Sequence, residues 1–368
     1  MTCRVAVVGL GWAARTIWLP RLAAHPGMTV TAVVDPDPAA RSSFLDDTGN
    51  VRVLSKLEEL TRVTVDLAIV AVPNHAHAPV ACALLRRGIP VFVEKPVCLS
   101  TAEADDLAEA EKAGNTVLIA GSAARYRGDI QALEGIVTCL GPVRHVRLVW
   151  VRARGVPGTN WFTQRSMAGG GALVDLGWHL LDTALPLLGP VRFDQVVGAI
   201  GHDFVNHSFS RAAWREDEPD ASAARAGDVE DTARAFLTTD GGASVSLHAS
   251  WASHAGYDTT LVEVHGRAGT VALSCAFGFS PNRLGGSMLT LTRNGQVVPV
   301  PLDDDPVGAE YDRQVDALPG LLADPEQPGK AVEATRMTID LIERIYASAL
   351  HVLGGRNTEQ GTPAWTPN

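Results

Sequence analysis

Two clusters of polar residues stand where apolar ones would be expected. Asp175, His179 and Asp182 follow Gly169-Gly170-Gly171 at spacings of i, i+4 and i+7, which on an α-helix places them on one face. The rest of that stretch is apolar (Leu173, Val174, Leu176, Leu180, Leu181, Leu185). A carboxylate and an imidazole inside such a helix need partners or a polar cavity. The second cluster is Glu94-Lys95-Pro96, directly after a short apolar run. The imidazole has an ordinary pKa near neutrality and suits proton transfer. An ammonium donates to a reacting oxygen and stabilises developing alkoxide charge. Carboxylates orient such a group and accept from substrate hydroxyls. The chemistry these types support is oxidation of a secondary alcohol, or its reverse, with Lys95 and His179 able to exchange roles.

Such chemistry needs a hydride acceptor, and the N-terminus carries a site for one. Gly9-Leu10-Gly11-Trp12-Ala13-Ala14 is a GxGxxA motif that follows an apolar run and opens a helical pattern. Asp35 stands 21 residues after Ala14, at the end of the next apolar run. In this context Gly9 allows a tight strand-to-helix turn, Gly11 lets backbone amides reach a pyrophosphate, and Ala14 permits close helix–strand packing. The helix N-terminus faces the phosphates with partial positive charge. Asp35 accepts from ribose hydroxyls and, with Asp37, repels an extra phosphate, so NAD is expected over NADP. FAD is a weaker alternative, because nothing further along the chain supports a second adenine dinucleotide signal.

The elements that position these residues alternate regularly at first. Apolar runs at Arg4–Gly9, Thr29–Val34, Asp66–Val72, Pro90–Glu94 and Thr116–Gly121 are separated by helical patterns, including Trp12–His25, His75–Arg87 and Ser100–Ala113. Continuous apolar strands between helices predict a doubly wound parallel sheet, here over residues 1–122. Lys95 then lies beyond the carboxyl end of a strand, where ligands of such sheets bind. Residues 123–353 read differently. Two helices, Arg127–Val137 and Gly171–Leu188, accompany strands at Val143–Val151 and from Val191 onward, with turn signals at Asp240-Gly241-Gly242 and Arg293-Asn294-Gly295. This predicts an α+β domain with a large open, mostly antiparallel sheet. A last helix, about 330–350, is placed to pack back on the first domain, and 354–368 reads as a flexible tail. Residues 202–228 are polar and aperiodic, a loop with a lid as the alternative.

Composition narrows the class. The chain has 368 residues and a formal charge of −10, which suits two domains and disfavours nucleic acid as a partner. The five cysteines show no CxxC spacing, so neither zinc nor a disulfide framework is expected. No apolar stretch reaches membrane-spanning length and no signal peptide is apparent, which points to the cytoplasm.

These motifs together resemble the glucose–fructose oxidoreductase/inositol dehydrogenase (Gfo/Idh/MocA) family over about residues 3–350. The matching features are GxGxxA at 9–14, Asp35, Val72-Pro73-Asn74 with His77, Glu94-Lys95-Pro96, and Gly171 through Asp175, Gly177, His179 and Asp182. The resemblance implies an NAD(P)-binding Rossmann domain and an open-sheet domain whose far face makes homodimers or homotetramers. It implies a carbohydrate-like substrate: a sugar, aminosugar, aminoglycoside or cyclitol. It places Lys95, Asp175 and His179 as catalytic, these three with Asp182 on the substrate, and Pro73, Asn74, His77 and Glu94 along the cofactor. Arg125 matches the arginine of a family Asn-x-Arg motif, but Ala123 stands where the asparagine belongs, and Trp161 is a candidate to stack near the nicotinamide. The Ala/Arg/Gly-rich composition fits a high-GC source and a role in antibiotic assembly. Two alternatives follow from the same resemblance: an NAD- or sugar-sensing regulatory protein, and a reductase of a nucleotide-linked ketosugar.

Overall fold

The computed structural model describes residues 2–44, 49–212 and 226–359, with side chains through His351. Its first sheet has six parallel strands: β1 (Cys3–Val8), β2 (Met28–Val34), β3 (Arg52–Leu54), β4 (Leu67–Val70), β5 (Val91–Val93) and β6 (Leu118–Ala120). They lie in the order β3-β2-β1-β4-β5-β6. The order reverses between β1 and β4, which opens a crevice beyond their carboxyl ends. β4 and β5 are buried at every position, as strands covered on both faces must be. Gly9, Asp35 and Glu94 each follow directly on a strand that borders this crevice.

The second sheet comprises β7 (Val143–Val151), β8 (Phe193–Gly201), β9 (Thr232–Thr239), β10 (Ser244–Ser250), β11 (Thr259–Gly266), β12 (Gly269–Cys275), β13 (Met288–Arg293) and β14 (Gln296–Val300). The order is β14-β13-β12-β11-β7-β10-β9-β8. Neighbours are antiparallel except β7 and β10, which run parallel. Val146, Leu148, Trp150, Val245, Leu247, Val262 and Val264 form the buried face. His145, Arg147 and Val149 alternate with them on the open face, as period-two geometry requires.

Helix Trp178–Leu188 is enclosed on nearly all sides, so its polar residues must find internal partners. Helix Thr101–Gly114 starts as its sequence predicts: Ser100 Oγ accepts from Glu103 N at 3.1 Å, and the Glu103 carboxylate accepts from Leu99 N at 2.7 Å. Such caps are worth about 1 kcal/mol. The last helix, Lys330–Glu359, extends beyond the expected end near residue 350. Its Arg336 pairs with Asp105 at 2.7 Å, and its Ile345 carbonyl lies so close to β8 that a Cβ at Gly198 would meet it at 2.4 Å. Residues 360–368 of the expected tail and 213–225 of the expected loop lie outside the described residues.

Three features depart from the reading of the sequence. Strand β3 is only three residues long and lacks a detectable period. Helix Ala309–Ala323 was not foreseen, because Pro319 interrupts its pattern; it buries Val315 and Leu318 beside the first sheet's helices. The segments Ala13–Trp18 and Leu173–Gly177 wind with i→i+5 geometry before continuing as α-helices. No helix among the described residues is long and apolar enough to cross a membrane.

Candidate active site

The glycine loop meets its requirements locally. Gly9 has φ +92°, and a Cβ there would lie 2.5 Å from the Ala71 carbonyl oxygen. Only glycine tolerates both. At Gly11 an added Cβ meets nothing within 4 Å, so the space above the loop is open. Leu10 N donates to Asp35 Oδ2 and Asp37 N to Asp35 Oδ1, both at 2.8 Å. The Asp35 carboxylate is thereby fixed at the tip of β2 beside the loop. An open cradle, a helix start and an oriented carboxylate fit an adenine dinucleotide. Trp12 and Ala13 are half-buried at this helix start, and the Trp12 ring packs edge-on against Phe279 of the second domain, at 5.6 Å.

The segment after β5 carries Lys95. Glu94 Oε1 accepts from Trp18 Nε1 at 2.8 Å and Oε2 from Lys95 N at 3.0 Å, tying the turn to the helix after the glycine loop. Burial raises the Glu94 pKa, against the opposing pull of Lys95 and these donors. The Lys95–Pro96 peptide is cis. His77 braces the same turn: its Nδ1 lies 2.6 Å from the Pro96 carbonyl and its Nε2 2.8 Å from that of Val72. Burial lowers its pKa to about 4. Pro73 precedes the short turn Asn74–Ala76, and Asn74 Nδ2 donates to Ala168 O at 2.9 Å. That bond joins the first sheet to the segment leading into Asp175.

The opposite wall rests on a buried carboxylate. Glu230 accepts from Gly171 N at 3.0 Å, Leu173 N at 2.9 Å and Tyr346 Oη at 2.8 Å. A Cβ at Gly171 would lie 1.7 Å from the Glu230 carbonyl oxygen, which explains a glycine there. From this anchor Asp175 meets Lys95: Nζ to Oδ1 is 2.5 Å. Trp251 Nε1 donates to Asp175 Oδ2 at 2.8 Å. Burial alone would raise the Asp175 pKa; the Lys95 ammonium, the Arg152 guanidinium and the Trp251 donor overcome it and hold it far below the usual carboxylate range. His179 lies 5.6 Å from the Trp150 ring. Burial, with Lys95 and Arg152 adding repulsion, lowers its pKa to about 3, Asp175 opposing. The imidazole is neutral, and neither of its nitrogens bonds to a protein group among the described residues. A fixed ammonium therefore stands beside a free neutral base.

The structure thus brings Lys95, Asp175 and His179 together and pairs Asp182 with Arg125. Asp182 Oδ1 accepts from Arg125 Nη2 at 2.7 Å, and its carbonyl from Arg125 Nε at 3.0 Å. Burial raises its pKa, with Arg125 and Ser122 opposing. The wider winding of Leu173–Gly177 shifts the helix phase, so the i+7 position no longer shares the face of Asp175. Arg125 is spent on that pairing. Trp161 packs on Phe162 at 4.6 Å, and Phe162 lies 6.2 Å from Trp251. Cys98 is buried, its thiol pKa driven far up. Trp251, Arg152 and Glu230 were not identified as site residues from the sequence. A tryptophan at a strand end and an acid at a strand start carry no local signal of this kind.

Comparison with known proteins agrees with this geometry. Residues 3–122 match the model described as an oxidoreductase family with an NAD-binding Rossmann fold, and residues 138–272 the GFO/IDH/MocA C-terminal domain. The chain is 55% identical over 350 residues, 95% of its length and 96% of the relative's, to the "Putative UDP-kanosamine synthase oxidoreductase subunit" of Amycolatopsis mediterranei (strain S699). It is 29% identical over 204 residues to the D-glucoside 3-dehydrogenase of Escherichia coli (strain K12), spanning 57% of that protein. Among solved structures it resembles GenD2 from gentamicin A biosynthesis, in complex with NAD, at 27% identity and TM-score 0.73, covering 95% of this chain and 94% of that one.

Proposed function

The chain belongs to the Gfo/Idh/MocA family of oxidoreductases, and from that premise we propose that it uses NAD to oxidise a ring hydroxyl of a UDP-linked hexose to a ketone. The observation that carries the reading is the neutral, unengaged His179 beside the Lys95–Asp175 pair. The relative named for UDP-kanosamine synthesis supports the substrate class. Kanosamine is an aminosugar, and placing nitrogen on a hydroxyl-bearing ring carbon calls for a ketone first. The role is thus a step in natural-product assembly.

NAD held by the Gly9–Ala14 loop and Asp35 would supply the hydride acceptor. The residues do the rest. Lys95 Nζ donates to the reacting hydroxyl oxygen and stabilises negative charge as it develops. His179 accepts the hydroxyl proton. Asp175 holds the ammonium in place, and Trp251 holds Asp175. NAD is favoured over NADP because the Asp35 carboxylate would face the additional phosphate. The nearby guanidinium groups are committed elsewhere: Arg41 Nη1 donates to the Asp35 and Pro36 carbonyls, and Arg15 to Leu10 O, Ala40 O and Ser43. We place the homo-oligomer contact on the open face of the second sheet, where Val197 and Phe236 are 59% and 49% exposed, and the enzyme in the cytoplasm.

The test is NADH formation followed by absorbance over UDP-hexoses, free sugars, aminosugars and cyclitols. Turnover of a UDP-hexose that Lys95→Ala and His179→Ala each reduce at least a hundredfold, with NAD binding intact, is expected. Near-normal rates in both variants would overturn the roles, and silence toward every UDP-hexose would overturn the substrate class.

A further inference from the structure

A cavity of about 380 Å3 lies between the last helix and the two segments that carry the catalytic pair. Leu99, four residues past Lys95, and Val174, directly before Asp175, both line it. Lys95, Asp175 and His179 do not, so the cavity backs onto the catalytic segments without sharing their reacting groups. Tyr346 of the last helix links the two places. Its ring borders the cavity, and its Oη donates to Glu230 Oε1 at 2.8 Å. Glu230 in turn holds the amides of Gly171 and Leu173 at the start of the Asp175 helix.

The cavity wall carries two opposite charges that form no ion pair with each other. The Arg165 guanidinium carbon lies 4.9 Å from the Tyr346 ring centroid. The Arg165 amide is tied to Asp228 Oδ1 at 2.6 Å, but its guanidinium makes no hydrogen bond or ion pair among the described residues. Glu343 stands three positions before Tyr346, on the same helix face. Its Oε1 accepts from Thr101 N at 3.2 Å, and its Oε2 has no partner among the described residues. Residues so spaced have Cβ atoms about 5–6 Å apart, so the cation resting on Tyr346 and the Glu343 carboxylate are spaced to meet two charges of one small molecule. The rest of the lining is largely apolar, with Ile339, Ile342 and Leu350 facing Leu99 and Val174. This donor set discriminates. A hydrocarbon would leave both charges unanswered. A simple anion would meet Glu343 as well as Arg165, and a simple cation the reverse. A zwitterion with an apolar body satisfies all three parts of the wall.

We infer that this cavity binds an α-amino acid with an apolar side chain, its carboxylate on Arg165, its ammonium on Glu343 and its side chain against Leu99, Val174 and Ile342. The volume falls within the range of small-molecule sites, about 300–1,000 Å3. A guanidinium also takes a carboxylate through two parallel hydrogen bonds. The inference stands apart from the UDP-hexose reading, since it uses none of the residues assigned to the chemistry.

The experiment titrates L-leucine and L-phenylalanine into the full-length protein by calorimetry, with melting temperature measured alongside. The controls are 4-methylpentanoate, which lacks the ammonium, 3-methylbutylamine, which lacks the carboxylate, and L-glutamate, which lacks the apolar body. At least one of the two amino acids should bind saturably at one site per chain and raise the melting temperature, as a ligand of the folded state does. Each control should bind at least tenfold more weakly. Arg165→Gln and Glu343→Gln should each weaken the amino acid at least tenfold. Ala347→Trp, at an exposed position of the same wall, should abolish binding by filling the cavity, and it keeps the test decisive where a charge variant folds poorly. No saturable binding of either amino acid at millimolar concentrations would overturn the inference. Equal binding of 4-methylpentanoate or 3-methylbutylamine would overturn the zwitterion. Affinity unchanged in Ala347→Trp, or in both charge variants, would place the ligand elsewhere and overturn the site.

Discussion

Lowering the pH from 7 to 5 should destabilise the unliganded protein through two enclosed histidines. Burial pushes the pKa of His77 down to about 4, and burial with Lys95 pushes that of His179 down to about 3. At pH 5 both rings are neutral in the folded chain, while histidines of the unfolded chain, with pKa near 6.5, are mostly protonated. The unfolded state then binds more protons, so stability declines as the pH falls. The loss begins near pH 6.5 and continues down to the folded values. One pKa unit is worth about 1.4 kcal/mol, so each ring accounts for about 2 kcal/mol between pH 7 and 5. Glu94, Asp182 and Glu230 act in the opposite sense, because burial raises their pKa and the folded state takes up their protons earlier. The clean readout is therefore a difference between two proteins. His179→Gln removes one ring and should lose about 2 kcal/mol less than the wild type over this range. Urea unfolding at pH 7, 6 and 5, followed by circular dichroism, measures it. Equal pH dependence within about 0.5 kcal/mol, the usual error of such differences, would refute a desolvated, neutral His179.

Two other perturbations probe the walls of the crevice. Asp35→Ser removes the carboxylate proposed to read the cofactor ribose, which also accepts from Leu10 N. It should weaken NAD by about tenfold or more, as loss of a charge-assisted hydrogen bond does, and shift the NADP-to-NAD preference upward in a fluorescence titration; unchanged preference would show that Asp35 does not read the cofactor. Trp251→Phe keeps the aromatic packing but leaves Asp175 Oδ2 without its donor. An unsatisfied buried acceptor costs about 1–3 kcal/mol, which should appear as a lower unfolding midpoint and a lower kcat at unchanged NAD affinity; a kcat equal to wild type would sever Trp251 from the positioning of Lys95.

Much of the cofactor half is legible in the sequence because its constraints are local. A backbone at φ +92° against the Ala71 carbonyl must be glycine, and a carboxylate ending the second strand lies beside the first loop whenever the strands are parallel neighbours. Lys95 and Asp175 are 80 positions apart, yet each stands out as a charge embedded in an apolar stretch. Trp251 and Arg152 do not stand out. Their place comes from the parallel pairing of β7 with β10, an exception to the antiparallel rule that turn signals favour. That pairing sets two strand ends side by side and aims one indole at Asp175 and one guanidinium at the neighbouring ring. Asp182 shows the complementary limit. A spacing rule reads a helix face only where the winding is uniform, and Leu173–Gly177 departs from it. Where the winding widens, partners decide orientation: Lys95 and Trp251 hold Asp175, and Arg125 holds Asp182.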